Sequence, residues 1–328
     1  MKQAHHDVLD FLRKEDSFLI ASHVNPDGDS IASQLALRRS LLAIGKECRI
    51  VSSDPVPRVY RFLPGADEIL HRSRHSLRPY RAAILLDCGN ASRSSVPLDR
   101  NSTLPLVNID HHVSNDLFGN LNWVDSNASS TCEIVYDVAR RLGVDLDHDL
   151  ATNLYTGILT DTGSFRYSST TPRSMSVASK LLRHGVDPHD IAEKIYESAE
   201  YPSLRLLGKV LARMGRSPDG LVSWVTFTHS ELLSLSNMAE TEEFVNYARS
   251  LDSARIALGF KEVAPEQVRI SLRSKGGLNV AELAARHGGG GHRNAAGCTV
   301  SGKLAAVVRR VVSEARRFIA LSDQRESA

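Results

Sequence analysis

The hydrophobic positions of this 328-residue chain form short apolar runs that alternate with longer segments of helical periodicity. In the first half, this pattern predicts buried strands at 17–22, 48–52, 82–86 and 104–109, and a short edge strand at 121–124. Apolar residues recurring every three to four positions predict helices at 4–14, 31–44, 131–142, 149–159 and 172–185. Strands alternating with helices are typical of an α/β fold with a mainly parallel sheet flanked by helices.

The second half of the chain repeats the alternation on a smaller scale. Helical segments fill 188–216, and a turn at 217–220 opens a new region. Beyond the turn, the pattern predicts strands at 221–227, 254–261 and 267–273 and helices at 241–251, 280–286 and 303–321. We therefore expect a first domain at 1–187, a helical linker at 188–216 and a smaller α/β domain at 217–328, with an active site in the cleft between the domains.

Composition narrows the class of protein. Hydrophobic content of 42%, charged content of 24% and a net charge of +2 are ordinary for a globular protein and argue against binding to long duplex nucleic acid. Apolar runs are too short to span a bilayer, and the N-terminus lacks a signal-peptide pattern, so we expect a cytoplasmic protein without a membrane partner. Four scattered cysteines predict reduced core thiols: Cys48, Cys88, Cys132 and Cys298.

Candidate metal ligands follow the first predicted strand. His23 closes that strand, and Asp27 and Asp29 lie two positions apart on the turn that Pro26 and Gly28 introduce. The three side chains can converge on one point, and imidazole with carboxylate suits a divalent ion such as Mn²⁺. The alternative is purely structural: Asp27 forms an Asx-turn and Asp29 caps the following helix.

Acidic residues recur where the later elements end, which predicts one shared site. Asp87 follows the strand at 82–86, and Asp110, His111 and His112 follow the strand at 104–109. Neighbouring residues of an extended chain point to opposite sides, so only one histidine of the pair is expected to reach a given ion. Asp161 ends a predicted helix, where the dipole disfavours negative charge and a nearby cation would resolve the conflict.

A run of four glycines precedes the last predicted helix. Glycines 288–291 are followed by His292, Arg293 and Asn294, and then by the small residues 295–297, which we interpret as the start of a helix. Backbone N–H groups at a helix N-terminus form an anion cradle, so this segment predicts a phosphate site. Arg273 just upstream adds positive charge, whereas Lys275 fits a solvated strand end equally well.

The ordered set of motifs HxxPDGDS, an aspartate closing the third strand, DHH, DTGSF and GGGGHRNAAG resembles the DHH superfamily of phosphoesterases. The resemblance covers residues 15–315 and includes the DHH-associated C-terminal domain of the NrnA-type branch. It implies hydrolysis of very short RNA oligonucleotides and dinucleotides to mononucleotides, and of 3′-phosphoadenosine-5′-phosphate (pAp) to AMP.

The resemblance also implies roles for individual residues. Two Mn²⁺ ions, for which Mg²⁺ or Co²⁺ can substitute, would share Asp87 as a bridging ligand. One ion would be held by His23, Asp27 and Asp87, and the other by Asp29, Asp87, His111 and Asp161. Asp110 and His112 would be catalytic. His112 would lie either near the scissile phosphate or behind Asp110, outside the metal ligands, and Asp110 would orient a histidine. The ions would share a water and lower its pKa, so that hydroxide attacks phosphorus at neutral pH.

The C-terminal domain is implied to hold the nucleotide. The substrate-binding residues carried over by motif are Arg273, Gly290, Gly291, His292, Arg293 and Asn294. Family members often pair, so a homodimer is a further expectation.

Three alternatives remain open from the sequence. The first is a phosphodiesterase acting on cyclic or linear dinucleotides such as cyclic di-AMP. The second is a non-catalytic nucleotide sensor. The third is an RNA-binding module, which leaves the acidic clusters of the first domain unexplained.

Overall fold

The computed structural model describes residues 2–71, 80–96, 104–235, 241 and 243–326. The chain divides after Ser198 into two compact units, each with its own sheet. Within the described residues, no helix has both the length and the apolar character needed to cross a membrane. The four cysteines are buried free thiols, as predicted.

The first unit is built on a parallel sheet of six strands. The strands are β1 (Ser17–Ala21), β2 (Glu47–Ser52), β3 (Leu70–His71), β4 (Ala82–Leu86), β5 (Leu106–Asp110) and β6 (Leu121–Val124). Their spatial order is β3-β2-β1-β4-β5-β6, and every neighbouring pair is parallel. The chain therefore moves outward in one direction from β1 and in the other from β4. In such doubly wound sheets, ligands bind beyond the carboxyl ends of the two central strands.

Helices cover one face of this sheet and create its main core. They are α1 (Lys2–Lys14), α2 (Gly28–Ala43), α3 (Thr131–Leu142), α4 (His148–Asp161), α5 (Pro172–Leu182) and α6 (Pro188–Tyr196). Alternate residues of β1 face opposite sides: Phe18 and Ile20 join the main core, and Leu19 and Ala21 join a smaller cluster on the other face. Burial of both faces explains why the strands are continuous apolar runs.

The second unit contains a mixed sheet. After α7 (Tyr201–Ala212), the strands β7 (Gly215–Arg216), β8 (Val222–Phe227), β9 (Ile256–Ala264), β10 (Gln267–Ser274), β11 (Gly290–His292) and β12 (Ala295–Ser301) lie in the order β11-β12-β10-β9-β8-β7. Only β8 and β9 pair in parallel among them. The remaining helices are α8 (His229–Leu233), α9 (Phe244–Arg249), α10 (Val280–Ala285) and α11 (Leu304–Glu326).

The glycine run does not lie at a helix N-terminus, so that prediction was wrong. Gly290 and Gly291 belong to β11, which pairs antiparallel with β12, and the small residues after Asn294 form β12 instead of a helix. A Cβ atom on Gly289 would lie 2.1 Å from the Gly297 carbonyl oxygen, and one on Gly291 would lie 2.6 Å from the Ala295 oxygen. The glycines therefore allow two backbones to approach closely, and this packing accounts for much of the motif.

Candidate functional site

The carboxyl ends of the central strands bring the predicted ligands of the first unit together. His23 follows β1 by two residues, Asp87 comes directly after β4, and β5 ends at Asp110 before the two histidines. Three groups of side chains have ligand atoms within 4.8 Å of one another. The groups are His23 with Asp27 and Asp87, Asp29 with His111 and Asp161, and Asp87 with His111 and His112.

Asp87 lies between the other ligands and is almost fully buried. Its Oδ2 atom is 3.5 Å from His23 Nε2, and its Oδ1 atom is 3.6 Å from His111 Nε2. The residue has a φ of 52°, a left-handed conformation that costs a non-glycine residue about 1 kcal/mol. Fold and hydrogen bonding thus hold one carboxylate with its two oxygens facing two different histidines.

The two adjacent histidines approach the same oxygen of the Asp87 carboxylate. His112 Nδ1 lies 3.7 Å from Asp87 Oδ1, the atom that His111 also approaches. Asp110 is the last residue of β5, so both histidines follow the end of the strand. Their rings meet edge to face, with centroids 5.1 Å apart.

Hydrogen bonds fix Asp110 between His112 and an asparagine. Asp110 Oδ1 is 2.7 Å from His112 Nδ1, and Asp110 Oδ2 accepts from the Asn115 side chain at 2.5 Å. Because a carboxylate can only accept, His112 carries its hydrogen on Nδ1. Asn115 also donates to Asn108 Oδ1 at 2.7 Å, which ties the network to β5. Sequence reasoning missed Asn115, since an asparagine after a strand is ordinarily a turn residue.

The helix α3 supports two of the acids, a contact that no pattern in the sequence predicts. The backbone N–H groups of Thr131 and Cys132 donate to the Asp29 carboxylate at 2.6 and 2.9 Å, and Thr131 Oγ1 donates to Asp87 Oδ1 at 3.2 Å. Asp29 therefore does not cap its own helix. Asp27 does so instead, because its side chain accepts from the Ser30 N–H, while its other oxygen still lies 3.9 Å from His23 Nε2.

Burial and charge shift the pKa values of the site in opposite directions. Burial and the neighbouring Asp87 charge raise the pKa values of Asp29 and Asp161 well above their ordinary range. Burial opposes the charged form of Asp87 as well, but the hydrogen bond to His23 and the three histidines lower its pKa. Burial also opposes a charged His23, yet its hydrogen bond to Asp87 raises the pKa of His23 to about 9.

These residues fit a divalent cation. Carboxylate oxygens and imidazole nitrogens are suitable donors, and a dication would offset the repulsion among three buried or half-buried acids, Asp29, Asp87 and Asp161. The ligand groups fall on two sides of Asp87, one with His23 and one with His111.

The predicted substrate residues of the second unit lie around β10 and the β11–β12 hairpin. Arg273 pairs in register with Ala295, and its guanidinium donates to its neighbour's carbonyl, Leu272 O, at 3.1 Å. Arg293 is exposed and donates to Gly277 O, and Asn294 Oδ1 accepts from the Ser274 hydroxyl at 3.3 Å. Lys275, for which a solvated strand end was the alternative, instead donates to the Leu251 carbonyl. The side chain of His292 lies outside the described residues.

Comparison with known proteins identifies both units. A model of the DHH family, N-terminal domain, matches residues 17–158, and a model of the DHHA1 domain matches residues 228–321. The chain is 37% identical over 297 residues to the bifunctional oligoribonuclease and PAP phosphatase NrnA of Thermus thermophilus, covering 88% of this chain and 85% of that protein. A probable bifunctional oligoribonuclease and PAP phosphatase NrnA of Streptococcus mutans is 29% identical over 294 residues, covering 88% and 91%.

A solved structure has the same architecture along almost the whole chain. An exopolyphosphatase-related protein from Bacteroides fragilis is 29% identical, with a TM-score of 0.85 over 96% of each chain. The parallel sheet of the first unit and the second sheet of the second unit match this two-domain architecture. The chain therefore belongs to the DHH family of metal-dependent phosphoesterases, hydrolases that act on phosphoester bonds, and carries a DHHA1 domain.

Proposed function

We propose that this phosphoesterase hydrolyses very short RNA oligonucleotides, dinucleotides included, to mononucleotides, and pAp to AMP, with Mn²⁺ as its metal. The substrate classes are supported by the relatives named as oligoribonuclease and PAP phosphatase, one of which is 37% identical over most of the chain. The observation that carries the chemistry is the Asp87 carboxylate, whose two oxygens face different ligand groups.

Two ions would be held on either side of Asp87. His23 and Asp27 would complete one site, and Asp29, His111 and Asp161 would complete the other, in keeping with the two groups that converge there. Bound divalent ions supply hydroxide at neutral pH and neutralise charge on the phosphoryl oxygens. The mixture of imidazole and carboxylate favours Mn²⁺, with Mg²⁺ or Co²⁺ as substitutes.

His112 is proposed to act on the phosphoryl group itself. Burial opposes its charged form, but the hydrogen bond to Asp110 raises the pKa of His112, which favours the protonated ring. With Nδ1 engaged by Asp110, Nε2 is the atom proposed to donate a hydrogen bond to the phosphoryl or leaving oxygen. Asp110 would orient His112, and Asn115 would orient Asp110.

The second unit is proposed to bind the nucleotide through Arg273, His292, Arg293 and Asn294. The revised role of the glycines changes this part of the proposal, because Gly290 and Gly291 contribute backbone groups from a hairpin instead of a helix N-terminus. Positive charge from the two arginines suits a phosphate group of the substrate.

The test combines metal analysis with a substrate panel. We expect about two Mn²⁺ per purified chain and turnover of the dinucleotide pApA and of pAp. The substitution Asp87→Asn should lower kcat/KM about 10³-fold or more, equal to ~4 kcal/mol, and lose bound metal. The matched control is Asp145→Asn, an exposed aspartate, which should behave as wild type.

Other outcomes would favour other functions. Faster turnover of cyclic di-AMP than of pApA or pAp would indicate a cyclic-dinucleotide phosphodiesterase. Unchanged nucleotide binding in Asp87→Asn, with no turnover by wild type, would indicate a nucleotide sensor and contradict the proposal.

A further inference from the structure

The loop after β4 is fastened to the strand extension that carries His23. Asn90 Oδ1 accepts from the Ser92 N–H at 2.8 Å and starts a short 3₁₀ turn, Ala91–Arg93. The Val24 N–H donates to the Arg93 carbonyl at 2.8 Å, and His23 forms an isolated antiparallel bridge with Ser94. The backbone of Arg93 is thus held beside that of His23.

The side chain of Arg93 is exposed and makes no ion pair or side-chain hydrogen bond with any residue that the structure describes. Several other arginines do pair with a carboxylate; examples are Arg38, Arg39, Arg173, Arg213, Arg255 and Arg316. Arg93 nevertheless lies next to the site, because its backbone carbonyl accepts from the N–H of Val24, the residue that follows His23. The guanidinium of Arg93 is thus exposed beside the acidic cluster without an ion pair to any described carboxylate.

We propose that Arg93 is a substrate-binding residue whose guanidinium contacts the phosphate held at the acidic and histidine cluster. A guanidinium presents several N–H donors in a planar fork that matches phosphate oxygens. The inference rests on the proposed phosphoesterase function and adds to it a residue from the first unit, outside every motif considered in the sequence.

The attachment of the loop decides which phosphate is bound. Because the carbonyl of residue 93 accepts from the N–H of residue 24, next to the ligand His23, Arg93 is anchored within reach of a phosphate at the metal site. Product phosphate contains the same group. Inorganic phosphate alone is therefore a sufficient probe.

The experiment uses the full-length, Mn²⁺-loaded protein. For Arg93→Gln we expect kcat/KM for pAp to fall about 10- to 100-fold, and phosphate to bind about 10-fold more weakly by calorimetry. Arg93→Lys should recover part of both losses, because it restores the charge without the planar fork. Bound Mn²⁺ and the melting temperature should not change.

The matched control removes the same charge elsewhere in the unit. Arg183 is the exposed capping residue of α5, and the neighbouring His184 carbonyl contacts His148 at the first turn of α4. Asp161 is at the other end of that helix of 14 residues, roughly 20 Å away at 1.5 Å per residue. Arg183→Gln should leave both phosphate binding and turnover unchanged.

Two results would overturn the inference. One is unaltered phosphate binding and kinetics in Arg93→Gln; the other is loss of Mn²⁺ from that variant, which would mean that Arg93 supports the metal site and not the substrate. Failure of the wild type to hydrolyse pAp would contradict the proposed function instead, because phosphate binding is measured independently of turnover.

Discussion

The carboxyl edge of the first sheet and the β11–β12 hairpin of the second unit both carry conspicuous motifs, but for different physical reasons. At the carboxyl edge of the first sheet, side chains from separate strands converge, and their carboxylate and imidazole groups can bind a metal ion. In the hairpin, the glycines are needed because they have no side chain: a Cβ atom on Gly289 would collide with the backbone of β12. A motif of charged side chains therefore indicates chemistry more directly than a motif of glycines.

The largest effect is expected where backbone packing touches the acidic cluster itself. A Cβ on Gly157 of α4 would lie 2.2 Å from Cys132 Sγ and 2.8 Å from Asp29 Oδ1. Gly157→Ala should therefore displace Asp29, destabilise the protein by about 2–4 kcal/mol, and lower Mn²⁺ affinity at least about 10-fold. Thermal unfolding and calorimetric titration measure the two effects.

The control for this prediction is another helical glycine. Gly208 in α7 is exposed, and among the described residues no atom lies within 4 Å of the position that an added methyl group would take. Gly208→Ala should stabilise the protein by up to about 1 kcal/mol, because alanine is the better helix former. If both variants behaved alike, close packing would not be what places Asp29.

The hairpin offers the next test, because two adjacent glycines differ in their surroundings. Gly289→Ala should cost about 2–3 kcal/mol of unfolding free energy, since the added methyl meets the Gly297 carbonyl oxygen and Cys298. Gly290 has no described atom within 4 Å of its Cβ position, so Gly290→Ala should change stability by less than about 1 kcal/mol. Urea unfolding of both variants measures the difference.

The same pair separates packing from substrate binding. A rise in KM for pAp in the stable Gly290→Ala variant would support backbone contacts to the nucleotide at the hairpin. Equal stability losses in both variants would contradict the packing explanation of the glycine run.

The contrast between the two motifs also shows which parts of the fold and of the site can be predicted from the sequence. Apolar runs ending in His23, Asp87 and Asp110 predicted a parallel sheet with its ligands at one edge, because strand direction alone places those ends together. The hydrogen bond from Thr131 to Asp87 joins segments 44 residues apart, and no local pattern encodes it. Asn115 lies close to Asp110 in sequence but was missed because an asparagine after a strand is ordinarily a turn residue. The glycine run was misread because its reason, an approaching backbone, lies in the partner strand of a hairpin that has no side-chain signature.

The smallest expected effect is the release of a proton when a metal ion binds at the carboxyl edge of the first sheet. The pKa of His23 is raised to about 9, so in the metal-free protein the imidazole is protonated at neutral pH. A divalent ion requires the neutral ring, so binding at pH 7–8 should release a proton from His23, and affinity should rise with pH until about 9. The stability of the metal-free protein should change with pH in the opposite direction. Because the pKa of His23 is higher in the folded than in the unfolded protein, its protonation stabilises the fold fully below about pH 6.5, and this contribution is lost as the pH rises through about 9. Calorimetry in buffers of different ionisation enthalpy counts the protons, and His189→Asn, at an exposed histidine, is the control. Metal binding without proton release at pH 7 would mean that His23 is not a ligand.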